Sequence, residues 1–328
     1  MSDYHSTWKS LPSLPDAEGF AGSYAGSHNG ALIVAGGANF PDKPFWEGGT
    51  KTWTDLVFVL TQDSDSWQVA GSLPIPYAYG SCVEIPHGVL CIGGCNAEGH
   101  HTDVYLLSWD DNKLSVSSYP ELPKPLANTA AVFHDGKVYL TGGSIAPGEQ
   151  DCTPQMWVLD LFHLREGWMA APAIPGRGRF LHQMATWEDK IYVLGGIGLV
   201  PQGDKMVRDL LTEAWEFSPE AGWSQLADLP HPVAAAPTPA PATLAGHIYL
   251  LGGDDGSLAG FSPVWEHPGF HNQSLCYDAV SQTWHDSGEI AAPRAVLPCA
   301  TWNGQAVIVN GERRPGKRSN EVWAATLS

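Results

Sequence analysis

The most unusual segment of this 328-residue chain is Asn310-Gly311-Glu312-Arg313-Arg314-Pro315-Gly316-Lys317-Arg318. Four basic residues fall within six positions there, in a protein with only 17 Lys and Arg. Such a cluster makes a local positive field that can capture an anion. Arginine is the side chain whose fork matches a carboxylate bidentately. Glu312 next to Arg318 is then a partly exposed carboxylate suited to general acid–base work. The plain structural reading of the same run is a solvated turn. Arg179 and Arg294 are further candidates for gripping an anionic ligand, and Asn39 is a polar one. His182, three residues after Arg179, reads either as a hydrogen-bonded interior residue or as a ligand contact.

Other titratable clusters are weaker. Asp254-Asp255 reads as a solvated turn, and His100-His101 as surface. Glu266, His267 and His271 share one stretch but lack a metal-ligand spacing. The six cysteines (Cys82, Cys91, Cys95, Cys152, Cys276, Cys299) contain no CxxC pair, so free thiols are expected and neither metal nor cofactor is. No nucleophile elbow, phosphate-cradling Gly-rich loop or Cys/His pairing stands out.

The charge balance narrows the partners. With 35 acidic residues against 17 basic ones the formal net charge is −18. Nucleic acid and anionic membrane surfaces both need a basic footprint, so neither is expected. Apolar runs such as Ala31 to Ala35 are strand-length, far short of the roughly 18 residues of a membrane helix. The first residues, Met1 to Pro15, carry Asp3 and Trp8 and show no basic patch followed by an apolar stretch. A cytosolic location is the expectation.

The elements that must position these groups follow from a repeat. A short apolar run ending in Gly-Gly recurs at Gly36-Gly37, Gly93-Gly94, Gly142-Gly143, Gly195-Gly196 and Gly252-Gly253, with Asn310-Gly311 as a sixth copy. A later Trp precedes a Leu-Pro or similar turn: Trp67 before Leu73-Pro74, Trp168 before Ile174-Pro175, Trp223 before Leu229-Pro230, Trp284 before Ala292-Pro293. The second copy has Leu114 to Tyr119 in that place. High Gly (36) and Pro (26) disfavour helices, and 14 Trp disfavour disorder.

Each unit reads as four strands, which cannot bury both faces alone. Radial repetition solves this, and the pattern resembles the kelch repeat. The expected fold is all-β: one six-bladed propeller over residues 1–328, with blades near 16–74, 77–123, 126–175, 178–230, 233–290 and 293–328 plus 1–12. The stretch Ser6 to Pro12 is an orphan Trp strand, and the sixth unit lacks its fourth strand. The N-terminal strand should therefore complete the last blade and close the ring. In such blades the loop before the first strand and the loop after the Gly-Gly strand emerge on one face, near the central channel. That face should gather Asn39, Arg179, Arg294 and Glu312, together with the long stretches 38–51, 197–209 and 254–271.

At the sixth unit the resemblance sharpens. Asn310-Gly311-Glu312 through Pro315-Gly316 to Arg318 is similar to the N-acetylneuraminate epimerase (sialic acid mutarotase) family. Gly178-Arg179 with Gln183-Met184-Ala185-Thr186 and Gly195-Gly196-Ile197-Gly198 resembles a second segment of that family. Gly19-Phe20-Ala21-Gly22 leading into Ala35-Gly36-Gly37-Ala38 resembles a third. Their order is cyclically permuted, as in a permuted branch of the family. Two positions depart from it: Pro76-Tyr77-Ala78-Tyr79-Gly80 lacks an arginine, and Cys95 stands where the family has Glu.

The resemblance implies exchange of the α and β anomers of an acidic sugar, with no metal or redox cofactor. Glu312 would match the proton-transferring glutamate, Arg318 the arginine beside it, and Arg179 a substrate contact. The partner would be a small acidic sugar. The competing reading is a non-enzymatic kelch module that binds a protein or carbohydrate through its loops. A copper radical oxidase on a propeller would need a Tyr/His ligand set, and no such set stands out here.

Overall fold

In the computed structural model, which describes residues 4–148 and 151–328, the regular elements are strands and three single-turn 3-10 helices. Residues 1–3, the start of the 1–12 stretch assigned to the sixth blade, lie outside the described residues.

Six antiparallel sheets are arranged around a channel. From the channel outward, the first holds Tyr24–His28, Ala31–Ala35, Leu56–Thr61 and Gln68–Ser72. The second holds Ser81–Ile85, Gly88–Ile92, Val104–Asp110 and Lys113–Ser118. The third holds Ala130–His134, Lys137–Thr141, Met156–Asp160 and Trp168–Ala171. The fourth holds Gln183–Trp187, Lys190–Leu194, Ala214–Ser218 and Gly222–Gln225. The sixth runs Cys299–Trp302, Gln305–Val309, Val322–Leu327 and then Ser6–Leu11. Ser6 pairs with Leu327 and Leu11 with Val322, so the N-terminal strand closes the last blade as expected.

Both faces of each blade are buried, which explains the continuous apolar runs. Successive strand residues point to opposite faces. In Ala31–Ala35, Leu32 and Val34 pack with Val307, Val309 and Val322 of blade six. Ile33 and Ala35 pack with Val89, Cys91 and Leu107 of blade two. Each large apolar side chain buried this way contributes about 1.5–3 kcal/mol.

Blade five departs from the expected four strands. Its sheet has three: His247–Gly253, His271–Asp278 and Thr283–Glu289. The segment in the innermost place carries Pro237, Pro239 and Pro241, which have no N–H to give a ladder. It bonds sideways instead. Ala240 N–H donates to Met184 O of blade four at 2.8 Å, and Cys299 N–H of blade six donates to Thr238 O at 3.0 Å.

Three sets of hydrogen bonds join blade to blade. At the rim, four of the repeat Trp residues donate from the indole N–H to a carbonyl at the end of the preceding blade. Trp67 reaches Pro12 O (2.7 Å), Trp168 Pro120 O (2.8 Å), Trp223 Pro172 O (2.9 Å) and Trp284 Ala227 O (2.9 Å). Further in, the second residue of the doublet donates to the next blade: Gly37 to Tyr77 O, Gly94 to Leu126 O, Gly143 to Arg179 O, Gly196 to Val233 O and Gly311 to Phe20 O, at 2.8–3.1 Å.

The third set lines the channel and closes on itself. Gly22 donates to Val296 O, Val296 to Ala235 O, Ala235 to Leu181 O, Leu181 to Asn128 O, Asn128 to Tyr79 O and Tyr79 to Gly22 O, at 2.6–3.0 Å. All six residues have positive φ, between 52° and 65°. Only one is glycine. Left-handed backbone costs an L-residue roughly 1–2 kcal/mol, so the surrounding structure must impose it.

The doublets give a direct test. Gly196 has φ +92°, and an added Cβ would stand 2.5 Å from His182 Cβ and 2.8 Å from His182 Cα. Gly203 also has positive φ, but a Cβ there meets nothing within 4 Å. In denaturant titrations, Gly203→Ala is expected to cost about 1 kcal/mol. Gly196→Ala is expected to cost roughly 3 kcal/mol or more, because overpacking against backbone adds to the strain. Equal costs would refute the role given to the doublet.

Candidate active site

The six loops that follow the doublets open on one face, around one basin of ≈ 520 Å³. The first blade contributes Lys51 and Trp53, the second Cys95 and His100, the fourth Arg208, the fifth Asp254 and Phe270, and the sixth Glu312. The floor is the hydrogen-bonded belt: Tyr79, Asn128, Leu181, Ala235 and Val296 all line the basin. The same belt residues border a chamber of ≈ 40 Å³ deeper in the channel, room for a water or two. The basin is therefore a cup rather than a tunnel mouth.

Glu312 sits on the wall of this cup. It begins the hairpin Glu312–Arg314 with Lys317–Arg318, in which Glu312 pairs directly with Arg318. Arg318 Nη1 lies 2.8 Å from Glu312 Oε1. The arginine is buried, and its other edges are occupied. Nε donates to Ala38 O at 3.2 Å, Nη2 to the Tyr79 hydroxyl at 3.4 Å, and its plane lies 5.1 Å from the Phe40 ring. A guanidinium held on so many sides is a positioner: it orients the carboxylate of Glu312 and the hydroxyl of Tyr79, and both of those residues line the basin.

Two other basic residues of the segment are matched by acids. Arg313 pairs with Glu321 at 2.6 Å and Lys317 with Glu18 at 2.6 Å. The positive field inferred from the sequence is thus largely neutralised locally.

Four expected contacts lie elsewhere. Arg179 is fully buried; it donates to Gly195 O (3.1 Å), Glu213 O (3.4 Å) and Glu213 Oε2 (2.7 Å). Arg294 repeats this in blade six, donating to Asn310 O and Glu321 O at 3.0 Å each and pairing with the Glu321 carboxylate. Each arginine ties the start of an inner strand to the doublet of its own blade, and neither lines the basin. Burial lowers the pKa of Arg294 to about 10, which leaves it a cation at neutral pH. Asn39 is buried in the two-residue pairing of Ala38–Asn39 with Thr52–Trp53, where it faces Thr52 and supports the hairpin next to Lys51. His182 lies beside the inner chamber, beneath the belt, with Nε2 2.7 Å from Thr141 Oγ1. None of these four residues lines the basin.

Tyr79 and Lys51 are the residues the sequence reading missed. Tyr79 stood in view as a departure from the family pattern, in the loop ahead of an inner strand. Lys51 stood at the end of a long loop. The second departure, Cys95, also lines the basin, and burial pushes its thiol up to about 11 while the nearby Lys51 pulls the other way. His100 is lowered by burial and is neutral at neutral pH.

A family model described as N-acetylneuraminate epimerase matches residues 1–116. N-acetylneuraminate epimerase of Brucella suis is 37% identical over 127 residues, which is 34% of this chain and 32% of the relative. The Haemophilus influenzae protein of the same name is 39% identical over 124 residues, 33% of this chain and 32% of that one. The matched stretch spans about a third of the length of these curated relatives. The solved structure titled "Structure of YjhT" superposes with a TM-score of 0.70 over 97% of this chain and 99% of that one, at 18% identity, which shows a shared fold.

The buried histidine yields a pH prediction. Burial first, and Arg179 second, lower the His182 pKa from its ordinary 6.5 to about 3. Between those values the unfolded chain binds a proton that the folded one excludes. Stability should be full above pH 6.5 and fall as pH drops toward about 3, by an amount on the order of a few kcal/mol. Denaturant midpoints measured across that range should drop for wild type and flatten for His182→Asn. An equally steep acid limb in the variant would contradict the assignment.

Residues 1–116 match a family model described as N-acetylneuraminate epimerase, and nearly the whole chain shares the fold of the structure titled "Structure of YjhT".

Proposed function

We propose that this protein interconverts the anomers of N-acetylneuraminate or a closely related acidic sugar. The observation that carries the reading is the Glu312–Arg318 pair, set 2.8 Å apart at the wall of the basin where loops of all six blades converge. The relatives named as epimerases support it over a protein-binding module.

The chemistry needs little. The anomeric hydroxyl must lose a proton and the ring oxygen must gain one; the ring then opens to a ketone that recloses on either face. Glu312 serves as the base and returns the proton on reclosure. The Tyr79 hydroxyl, held by Arg318, is placed to donate to the ring oxygen. Arg318 acts through these two groups as a positioning residue. Carboxylate and hydroxyl held in advance of binding do not have to reorganise during reaction, the condition under which positioned groups are most effective.

The six free cysteines support a reducing compartment. The chain order of the matching segments supports a cyclic permutation of the blades. Superposition on YjhT with the blade order shifted tests this: the Asn-Gly-Glu blade should fall on its counterpart only after the shift.

The catalytic reading is tested by following anomer exchange by NMR. Wild type should accelerate exchange of N-acetylneuraminate. Glu312→Gln should lose roughly a hundredfold or more of that acceleration while keeping its unfolding midpoint. Full activity in the variant would refute the assignment.

A further inference from the structure

Lys51 and Arg208 are the two Lys or Arg side chains that line the basin; Arg208 lies over the Phe180 ring and Lys51 beside Tyr79. The Lys51 side chain lines the cup, with Nζ 5.0 Å from the centroid of the Tyr79 ring and 5.8 Å from that of Trp53. Arg318 is paired with Glu312, Arg313 with Glu321, Lys317 with Glu18, Arg179 with Glu213 and Arg294 with Glu321. Among the described residues the Lys51 ammonium faces two aromatic rings and the Cys95 thiol, and no carboxylate pairs with it.

The placement is built, not incidental. Lys51 immediately precedes the short strand Thr52–Trp53, whose partner is Ala38–Asn39. Thr54 N–H donates to Gly37 O at 3.0 Å, fixing this hairpin to the doublet of blade one. The rings hold the charge by cation–π attraction without neutralising it. Tyr79 connects the two halves of the site, with Lys51 over its ring and Arg318 at its hydroxyl.

We infer that Lys51 anchors the carboxylate of an anionic ligand in the basin, and so sets the preference for an acidic over a neutral sugar. The inference deepens the proposed function and takes its choice of sugar from it. In a chain of net charge −18, long-range attraction for an anion is absent, and a cation at the basin wall with no acid partner supplies local recognition. A carboxylate attached to the reacting carbon would be held on the Lys51 side of Tyr79, while the anomeric hydroxyl faces Glu312.

The test compares N-acetylneuraminate with its methyl ester, the same sugar without the charge, by calorimetric titration into wild type, Lys51→Met and Lys51→Arg. Wild type should prefer the acid by roughly ten- to a hundredfold, the range of one charge-assisted contact. Lys51→Met should bind acid and ester about equally, and Lys51→Arg should recover part of the preference. In kinetics the loss should fall mainly on KM for the acid. If Lys51→Met keeps the preference, or if wild type has none, the inference is overturned. If the preference is present and depends on Lys51 but wild type does not accelerate anomer exchange, the anchoring role stands and the catalytic reading fails.

Discussion

Six backbone hydrogen bonds that run in a circle fix the geometry on which the candidate site depends. From Gly22 to Val296 and around to Tyr79, each blade donates one N–H to a neighbour and accepts one from the other. A circle has no end to fray, and its members can all bond only if each holds a left-handed backbone. Five of the six pay that conformational cost with ordinary side chains. The belt makes the floor of the cup and sets the mouths of the loops at equal depth. Glu312, Tyr79 and Lys51 come from three different blades, and their meeting follows from this shared level.

Charge is partitioned by depth. The arginines nearest the doublets, Arg179 and Arg294, are buried and bonded to carbonyls and to one carboxylate each. A buried ion pair of this kind is costly to break from one side, because the remaining charge is stranded. Glu84 has a related role at the other end of the channel. It accepts from Ser27 N–H (2.8 Å) and Thr301 N–H (2.9 Å), so a single carboxylate of blade two holds blades one and six. At the cup the pattern changes, with the Glu312 carboxylate partly exposed and the Lys51 ammonium unmatched by any acid among the described residues.

Much of the architecture was legible in the sequence because it rests on residue types that are hard to replace. The second Gly of each doublet has φ between 91° and 116° and leaves no room for a Cβ, so the motif repeats visibly. Asn310 replaces the first Gly of its doublet at φ 62°, a conformation Asn tolerates. The Trp spacing was legible because the indoles of Trp67, Trp168, Trp223 and Trp284 each donate to a carbonyl of the preceding blade. The belt was not legible: Gly, Tyr, Asn, Leu, Ala and Val occupy equivalent places, and the conformation is imposed by the ring rather than by the side chain. Blade five could have been anticipated from its alternating prolines. Glu312 and Arg318, which the structure pairs, belong to one local motif. The burial of Arg179 and Arg294 was not legible, because their partners, Glu213 and Glu321, lie 34 and 27 residues away in sequence. Tyr79 and Lys51 carry no motif, and their importance is set by what the fold places next to them.

The central claim is that one cup, floored by the belt, holds the reacting sugar between Glu312 and Lys51. A crystal structure of Glu312→Gln soaked with N-acetylneuraminate tests it most directly. The account predicts the anomeric carbon beside residue 312 and the carboxylate within hydrogen-bond distance of Lys51 Nζ. A sugar bound at the opposite mouth of the channel, or in the cup with its carboxylate turned away from Lys51 and its anomeric carbon out of reach of residue 312, would contradict it.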